Sequence, residues 1–495
     1  MINDAQSLNL PPTHPVAGEA SASRDVPLCI DLDGTLVRTD CLCEGAIRAL
    51  FRHPGKLAGI CFGSWKGRAW IKRQIGEVCG GINAEVLPFN QEVLALIRRE
   101  KASGRKVILV TAADQLIAES VATHLNLFDE VIASDGTSNL KGKAKAAALE
   151  KRFGRGGFDY AGDSKADIPV WSAGRVAYVV HPSAAVKAWA LKHPSATVIG
   201  AARGGWRPLL HALRPQHWVK NILIFMPLVT AHLWHEGQTW FRLASFFLAL
   251  CFGASAVYLI NDLADMESDR RHKDKWRRPI ASGELPIKDA ILAIPLCLAL
   301  AVVLCGFGGI KALGLLLGYI VATSAYSFYL KRIPVLDILM LSGFYVYRIV
   351  AGAVLAPVVL SPWLIAFAMF LFLSLAAAKR YVELTSVISG AKANVARGYL
   401  HEDYPMIATF GVNCACLSVL VLGLYVNSDT FRSLYKESTI FWLFCPLLLY
   451  WLIRIWILAG RRKLHDDPVV FAIKDRATWV IAALGAVVFY FAVAR

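Results

Sequence analysis

This sequence of 495 residues lacks three features, and each absence narrows its interpretation. The first 220 residues contain no apolar run long enough to span a bilayer, whereas such runs crowd the remainder of the chain. The polar, proline-rich segment through Pro27 has no apolar core of the kind that a secretory signal needs, and we expect residues 1–26 to be disordered. The 11 cysteines show no metal-ligand spacing, which predicts free, reduced thiols. A soluble module followed by a membrane module is therefore predicted.

Acidic residues are scarce relative to basic ones, 37 against 53, which leaves a net charge of +16. Such a balance is typical of nucleic-acid-binding proteins, but most of these bases lie between hydrophobic runs. They are better explained as loops on the positive, cytoplasmic side of a membrane and as phosphate ligands. We therefore expect no nucleic-acid partner.

The membrane module is indicated by a hydrophobic content of 56% and a mean hydropathy of +0.47. Its apolar windows predict nine transmembrane helices within residues 211–495. The loops after the even-numbered spans are basic, which predicts that these loops and the soluble module are cytoplasmic and that the C-terminus lies outside. The expected spans are residues 221–236, 242–261, 288–306, 311–329, 335–355, 363–378, 406–427, 439–459 and 478–494.

An acidic and then basic stretch, Asn261–Gly283, follows the second expected span. On a helix, Asp262, Asp265 and Asp269 would share one face, because they are spaced i, i+3, i+7. Mg²⁺ binds through such carboxylates while substrate phosphates complete its shell, and several bases follow at once along this chain. The stretch therefore predicts a Mg²⁺-diphosphate site. The alternative is a solvated, salt-bridged loop.

A second polar segment, Tyr326–Asp337, occupies the loop after the fourth span, as the first segment follows the second span. Arg348 places a guanidinium inside an apolar helix, where it needs a partner such as Asp337 or a substrate phosphate. Lys379 and Arg380 follow the sixth span. Taken singly, these bases mark a cytoplasmic loop, but their recurrence beside carboxylates favours two halves of a shared site.

The soluble module begins with a short buried strand, Val26–Ile30, that runs into Asp31-Leu-Asp33-Gly-Thr35. Both carboxylates can face one crevice beyond the strand's carboxyl end, because a single residue separates them on extended chain. A second buried strand, Lys106–Thr111, ends in a hydroxyl. A strand that ends in Asp-x-Asp-Gly-Thr resembles the haloacid dehalogenase superfamily of aspartate-nucleophile phosphatases.

This resemblance implies an α/β, Rossmann-like domain over residues 27–182 with a small helical cap at about 41–88. Asp31 would attack phosphorus, and Asp33 would act as general acid and then as base. The hydroxyl of Thr111 matches the position that holds the transferring phosphoryl group. Residues 183–210 are expected to be a linker with an interfacial helix. A phosphatase fold without activity is the alternative.

Two further motifs of the superfamily are matched downstream. The lysine motif fits Lys145 best but leaves Lys141 and Lys143 open. Bases of the cap such as Lys72 either guide an anionic substrate or belong to a solvated helix face. The acidic motif completes the set of expected Mg²⁺ ligands, which are Asp31, Asp33, Asp163 and Asp167.

In the membrane module, the segment Asn261–Asp269 and the nine expected spans resemble the UbiA superfamily of intramembrane prenyltransferases. Other segments resemble a bacterial branch that includes decaprenyl-phosphate phosphoribosyltransferase, which implies an all-α polytopic transferase domain of the bacterial inner membrane. The fused soluble module departs from that branch. The segments are Arg214–Asn221, Arg278–Gly283, Tyr326–Asp337 and Asp467–Arg476.

The UbiA resemblance implies that Asp262, Asp265 and Asp269 hold Mg²⁺ against a donor diphosphate, with Arg278 and Lys331 supporting the leaving group. Phosphoribosyl transfer gathers more anionic groups than aromatic prenyl transfer does, and the cations of this chain exceed the need of one diphosphate. We therefore expect phosphoribosyl diphosphate and a polyprenyl phosphate as substrates. The expected substrate-binding residues are Lys220, Asn221, Asn261, Arg271, Arg277, Arg278, Tyr326, Lys331, Arg332, Asp337, Arg348, Lys379 and Arg380.

The fusion of the two modules predicts a two-step enzyme, in which the soluble module removes the 5-phosphate of the lipid-linked product and proximity limits escape of the intermediate. Two alternatives stay open. One is an aromatic prenyltransferase of the quinone or haem type, and the other is a membrane scaffold or transporter with a sensing domain. The sequence leaves the oligomeric state and the lipid length open.

Overall fold

The computed structural model divides the chain into two compact units. Unit 1 is Met1–Leu209 with Asp262–Ile291, and unit 2 is Leu210–Asn261 with Leu292–Arg495. Most of the N-terminal segment predicted to be disordered, and Asp467, lie outside the described residues. The described residues are 25–135, 139–201, 205–233, 235–387, 398–428, 431, 438–464 and 468–493.

Unit 1 contains a six-stranded parallel sheet in the order β3-β2-β1-β4-β5-β6. The two central strands β1 and β4 are buried throughout, which explains why their sequences read as short, unbroken apolar runs. The order reverses between β1 and β4, and ligands of parallel sheets bind beyond the strand ends at such a point. The strands are β1 (Leu28–Ile30), β2 (Val107–Asp114), β3 (Glu130–Ser134), β4 (Asp159–Gly162), β5 (Ala177–Val180) and β6 (Ala196–Ile199).

Helices cover the sheet and fill the segment between β1 and β2. The first three helices occupy the range predicted as a cap. The helices are α1 (Cys41–Arg52), α2 (Pro54–Phe62), α3 (Arg68–Cys79), α4 (Gln91–Ala102), α5 (Gln115–Leu125), α6 (Lys143–Phe153), α7 (Ile168–Ala173) and α8 (Ala184–Ala190).

The sheet extends into the range that the sequence assigned to a linker. Helix α8 and strand β6 both lie within residues 183–210, and β6 pairs with β5 in parallel from Ala177↔Ala196 to Val180↔Ile199. The β6 strand is short and half exposed, so its apolar pattern is too weak to stand out in the sequence.

Unit 2 is built from helices, and six stretches among the described residues are long and apolar enough to cross a membrane. One of them, Ile287–Phe328, contains two predicted spans joined by a short 3-10 turn, and its first residues belong to unit 1. Nine spans are therefore not confirmed. From residue 207 onward the helices are α9 (Arg207–Leu213), α10 (Met226–Thr230), α11 (Gly237–Ala264), α12 (Met266–Arg271), α13 (Ile287–Cys305), α14 (Gly309–Phe328), α15 (Leu336–Leu355), α16 (Pro362–Val387), α17 (Tyr404–Val426), α18 (Phe444–Gly460), α19 (Pro468–Lys474) and α20 (Arg476–Val493).

The prediction of a first span over residues 221–236 is wrong. A 3-10 helix, Pro215–Phe225, is followed there by the five-residue helix α10. Pro215 and Pro227 each stand in the first turn of a new helical segment, because proline lacks the N–H that the interior of a continuous helix requires. Apolar composition alone did not reveal these breaks.

Candidate active sites

The turn after β1 brings the first aspartate motif against the acidic motif that follows β4. Gly34 has φ +79°, a left-handed conformation that glycine adopts without strain. A Cβ atom at this position would overlap the carboxylate of Asp163. The Asp-x-Asp-Gly sequence is thus explained by a backbone that must pass directly beneath a second carboxylate.

Three carboxylates meet at this edge of the sheet. Ligand oxygens of Asp31, Asp163 and Asp167 all lie within 4.8 Å of one another, and this is the only such group of metal-ligating side chains found among the described residues. An all-oxygen donor set of this kind fits Mg²⁺. Asp33, which was also predicted to hold the metal, is not part of the group. Its Oδ1 accepts a hydrogen bond from the backbone N–H of Cys41 at 2.8 Å.

A buried lysine holds the predicted nucleophile. Lys145 Nζ donates to Asp31 Oδ1 at 2.8 Å and to the Tyr160 hydroxyl at 2.7 Å. Lys141 and Lys143 are exposed, so the structure singles out Lys145 among the three lysines that the sequence left open. Tyr160 in turn donates to Asp167 Oδ1 at 3.0 Å.

Sequence reasoning missed Tyr160, which joins the lysine to the acidic motif. The available signal was a tyrosine inside a fully buried strand, since a buried phenol needs a hydrogen-bonding partner.

Burial changes the protonation of both aspartates of the first motif. It raises the pKa of Asp31 to about 7, and the neighbouring Lys145 ammonium opposes that rise. Burial also raises the pKa of Asp33, to which the negative charge of Asp40 adds. A raised pKa lets a carboxyl hold its proton to higher pH, which suits a group that donates a proton to a leaving group.

Thr111 lies on β2 beside this cluster and is fully buried. Strand pairing sets Ile30 opposite Leu109, so Thr111, two residues further along β2, lies level with the residues that follow β1. The cap reaches this edge as well, because Lys72 Nζ donates to Ala112 O at 2.5 Å and to Asn139 Oδ1 at 2.8 Å. Lys72 is therefore held at the strand ends rather than on a solvated helix face.

The aspartate-rich segment departs from the single helix that its spacing predicted. Helix α11 ends at Ala264, and α12 begins at Met266, with Asp265 between them. Asp262 and Asp269 still approach one another, because Arg278 Nη1 donates to Asp262 Oδ1 at 3.1 Å and to Asp269 Oδ2 at 2.6 Å. A guanidinium thus bridges two carboxylates predicted to hold a metal.

Asp262 and Asp269 are both buried, and burial raises the pKa of Asp269 against the opposing charge of Arg278. Among the described residues, Asp262, Asp265 and Asp269 do not form a group of three carboxylates close enough to share one metal ion. Asp265 is half-buried. Arg271 and Arg277 are exposed, and the Arg277 guanidinium lies 5.4 Å from the Trp276 ring.

In unit 2, Arg348 has protein partners other than the one expected. Its Nε donates to Asn221 Oδ1 at 2.7 Å, and its Nη2 donates to the Tyr319 hydroxyl at 3.0 Å. Asp337, which the sequence offered as one possible partner of Arg348, instead forms a buried ion pair with Arg380 at 2.5 Å.

One other predicted residue of unit 2, Lys220, lies near Arg348. Lys220 Nζ and the Arg348 guanidinium lie 5.6 and 5.7 Å from the Tyr345 ring, which brings both cations to one aromatic surface. Tyr326 packs edge-on against Phe344 at 5.6 Å.

Four predicted residues lie elsewhere in unit 2. Asn261 Nδ2 donates to Ser327 Oγ at 3.0 Å. Lys331 and Arg332 lie on the 3-10 turn Leu330–Arg332, where Arg332 is exposed, and Lys379 is half-buried on α16.

An apolar groove of about 320 Å³ lies between α16, α17 and α18. Tyr381 and Trp456 line it, and the remaining lining residues are apolar. None of the predicted polar residues of α16 is among the lining residues.

Two family models match the chain. The model of the UbiA prenyltransferase family matches residues 222–481, and the model of haloacid dehalogenase-like hydrolases matches residues 28–172.

Similar proteins span one or both of these regions. The uncharacterized protein y4nM of Sinorhizobium fredii is 37% identical over 481 residues, which is 95% of this chain and 91% of that protein. The decaprenyl-phosphate phosphoribosyltransferase of Corynebacterium glutamicum is 40% identical over 183 residues, which is 36% of this chain and 54% of that protein. Among solved structures, a UbiA homolog from Archaeoglobus fulgidus bound to GPP and Mg²⁺ aligns with TM-score 0.42 and 17% identity, covering 58% of this chain and all of that one.

Proposed function

Because this chain belongs to the UbiA prenyltransferase family and is a multi-pass membrane transferase with an N-terminal haloacid dehalogenase-like domain, we propose that it makes a polyprenyl-linked ribose in two steps. In the first step, the membrane domain transfers a phosphoribosyl group from phosphoribosyl diphosphate to a polyprenyl phosphate. In the second, the N-terminal domain removes the 5-phosphate of that product. One observation carries the proposal: a phosphatase-type site, in which Lys145 donates a hydrogen bond to Asp31, lies in the same compact unit as the aspartate-rich segment.

The choice of donor rests on charge and on similarity. The 40% identical corynebacterial protein carries a name that specifies phosphoribosyl transfer to a polyprenyl phosphate. Phosphoribosyl transfer assembles a diphosphate, a sugar phosphate and a lipid phosphate, whereas prenyl transfer to an aromatic ring assembles one diphosphate. The greater negative charge of these three phosphate-bearing groups is matched by several bases, which are Lys220, Arg271, Arg277 and Lys331.

The first step needs no protein nucleophile. An oxygen of the acceptor phosphate forms a bond to the anomeric carbon of the donor as the bond from that carbon to diphosphate breaks, and diphosphate leaves with the bonding electrons. Arg278 holds Asp262 and Asp269 in place for this step, and the exposed bases of the segment neutralise the departing charge. The apolar groove between α16, α17 and α18 offers a surface for the polyprenyl chain.

The second step uses the residues around Asp31. A carboxylate oxygen of Asp31 bonds to phosphorus while the bond to the sugar 5-oxygen breaks, and Asp33 gives that oxygen a proton. Asp33 then takes a proton from a water molecule whose oxygen attacks phosphorus, which releases phosphate and restores Asp31. Lys145 favours the charged form of Asp31 and orients it, and Thr111 holds the transferring phosphoryl group.

Mg²⁺ fits the carboxylates of the phosphatase domain, and when bound it would neutralise phosphate charge and favour departure of the leaving group. Asp31, Asp163 and Asp167 would hold it there, and Asp33 lies outside that group. In the aspartate-rich segment, Asp262, Asp265 and Asp269 would hold Mg²⁺ together with the phosphates of the donor. We also propose that both sites face the cytoplasm of a bacterial inner membrane.

Donor specificity tests the proposal. The purified full-length protein is supplied with Mg²⁺ and polyprenyl phosphate, either with or without phosphoribosyl diphosphate. The masses of the lipid products are then measured by mass spectrometry. We expect a lipid heavier by one ribose in the first case only. A parallel reaction with a prenyl diphosphate and 4-hydroxybenzoate should yield no prenylated ring. A prenylated ring without any lipid-linked sugar would replace the proposal with aromatic prenyl transfer.

A further inference from the structure

Helix α1 of the phosphatase domain forms a buried ion pair with the segment that follows the aspartate motif. Arg270 Nη1 and Nη2 donate to the two carboxylate oxygens of Glu44 at 2.5 and 3.2 Å, and Arg270 Nε donates to Ala281 O at 2.9 Å. The two side chains are only 5% and 6% exposed. All three guanidinium nitrogens therefore have protein acceptors, so this base at the head of the basic stretch binds protein and not a substrate phosphate.

Two weaker contacts flank this pair. Glu267 accepts from Arg52 Nη2 at 2.6 Å and lies 3.5 Å from Arg48 Nη1. Lys288 Nζ donates to Asp40 Oδ2 at 2.6 Å. Exposed ion pairs of this kind stabilise a protein little by themselves. The buried, two-bond ion pair between Arg270 and Glu44 is therefore the main electrostatic contact between these segments.

The backbones also approach closely. Gly283 has φ +75°, and a Cβ atom there would lie 2.7 Å from both Cβ and O of Arg38. The end of the Arg278–Gly283 segment thus packs directly against the loop that follows Asp33. A side chain at position 283 would push this loop away.

The contacted loop and helix also hold the general acid. Asp40 is the N-cap of α1 and accepts from the backbone N–H of Cys43 at 3.0 Å, while the N–H of Cys41 donates to Asp33 Oδ1 at 2.8 Å. Asp33 is therefore oriented by the first turn of the helix on which Arg270 and Lys288 act. A shift of α1 would change the hydrogen bond that Asp33 receives.

We propose that Arg270 and Lys288 are positioning residues of the phosphatase: they fix residues 38–44, and through them Asp33, against the segment 262–291 of the transferase. The aspartate-rich segment and the phosphatase domain are then coupled in position, so that a shift of either one also shifts the other. The use of this arrangement to receive the lipid-linked product rests on the proposed function, whereas the docking and its effect on Asp33 do not.

Charge reversal in the full-length protein tests this inference. The variants are Glu44→Arg, Arg270→Glu and the double reversal, and hydrogen exchange is followed by mass spectrometry in residues 38–52 and 262–291. Each single reversal should speed exchange in both segments, on the order of a hundredfold, because it leaves buried like charges together. The double reversal should restore exchange to within about fivefold of the parent protein. Arg152→Glu is the matched control, because Arg152 pairs with Glu130 at 2.7 Å on the exposed surface of the same unit.

Hydrolysis of p-nitrophenyl phosphate gives a second readout. We expect the single reversals to lower kcat about tenfold with little change in KM, and the double reversal to recover most of kcat, since the general acid is displaced while the binding groups stay. If a reversal prevents folding, Glu44→Gln and Arg270→Gln replace it. Unchanged exchange in residues 38–52 of the Arg270 variants, or a double reversal as impaired as the singles, would overturn the inference. Failure of the wild type to make lipid-linked ribose would remove the proposed function and leave the exchange result to decide the docking.

Discussion

Lys145 Nζ lies 2.8 Å from Asp31 Oδ1 in a pocket where the lysine side chain is only 3% exposed. A buried ammonium beside a buried carboxylate stabilises the charged form of the nucleophile, which burial alone would neutralise. The pair forms across 114 residues of sequence and joins the first motif to the third.

Replacement of this lysine should abolish phosphatase activity. We expect Lys145→Ala to lower kcat for p-nitrophenyl phosphate by about 10² to 10⁴, because Asp31 loses its counter-charge and takes up a proton more readily. Lys143→Ala changes an exposed lysine of the same helix and should keep kcat within about twofold. Equal losses in the two variants would contradict the assignment of Lys145.

Gly34 provides a steric test of the carboxylate cluster. Gly34→Ala should weaken Mg²⁺ binding to the phosphatase domain about 10- to 100-fold, because the new Cβ displaces Asp163. Gly104→Ala is a matched control: Gly104 has φ +81°, and a Cβ atom there would meet nothing within 4 Å, so this variant carries the backbone strain without the overlap. Both variants should lose about 1 kcal/mol of stability from that strain. Equal metal affinity in the two variants, measured by titration calorimetry, would contradict the role of Asp163.

The raised pKa of Asp31 predicts how metal binding depends on pH. Without metal this carboxyl titrates at about 7, so it holds a proton at pH 6 and has lost it at pH 8. Mg²⁺ needs the carboxylate, so its affinity should rise from pH 6 to 8 and level off above. Calorimetry in buffers of different ionisation enthalpy should detect proton release on binding at pH 6 and little at pH 8.5. Proton release that is independent of pH would contradict the burial of Asp31.

Arg278 should be essential to the transferase, because it bridges Asp262 and Asp269. Arg278→Gln leaves the buried carboxylates of Asp262 and Asp269 without their shared guanidinium, so we expect transfer to fall about 10²- to 10³-fold. Lys311→Gln is the control, because it removes an exposed cation outside the predicted site and should cost at most about threefold. The rate of lipid-linked product formation measures both variants. Equal losses in the two variants would contradict the role of Arg278.

The phosphatase motifs could be predicted because their geometry is local. The carboxyl ends of parallel strands meet at one edge of a sheet, so the two strand patterns together with the superfamily resemblance led to Asp31 and Thr111. The sequence favoured Lys145 but left the other two lysines of the motif open, since the choice depends on which side chain is buried against the sheet. Tyr160 was missed because its role depends on contacts with Lys145 and Asp167 that strand patterns do not show.

Long-range pairing in the membrane domain could not be predicted from composition. Arg348 needed a buried partner, but Asn221 lies 127 residues away, and nothing in the sequence distinguishes it from Asp337. Likewise, Arg270 and Glu44 are 226 residues apart. The helix break at Asp265 and the short segments before α11 also escaped notice, because apolar composition does not report where a helix ends.

The central claim is that one chain transfers the sugar phosphate and then dephosphorylates it, and Asp31→Asn tests it most directly. Full-length protein is given Mg²⁺, phosphoribosyl diphosphate and polyprenyl phosphate, and its lipid products are identified by mass spectrometry. The wild type should accumulate polyprenyl-linked ribose without a 5-phosphate, and Asp31→Asn should stop at the lipid that still carries it. If Asp31→Asn yields the same dephosphorylated lipid as the wild type, the two-step account is wrong.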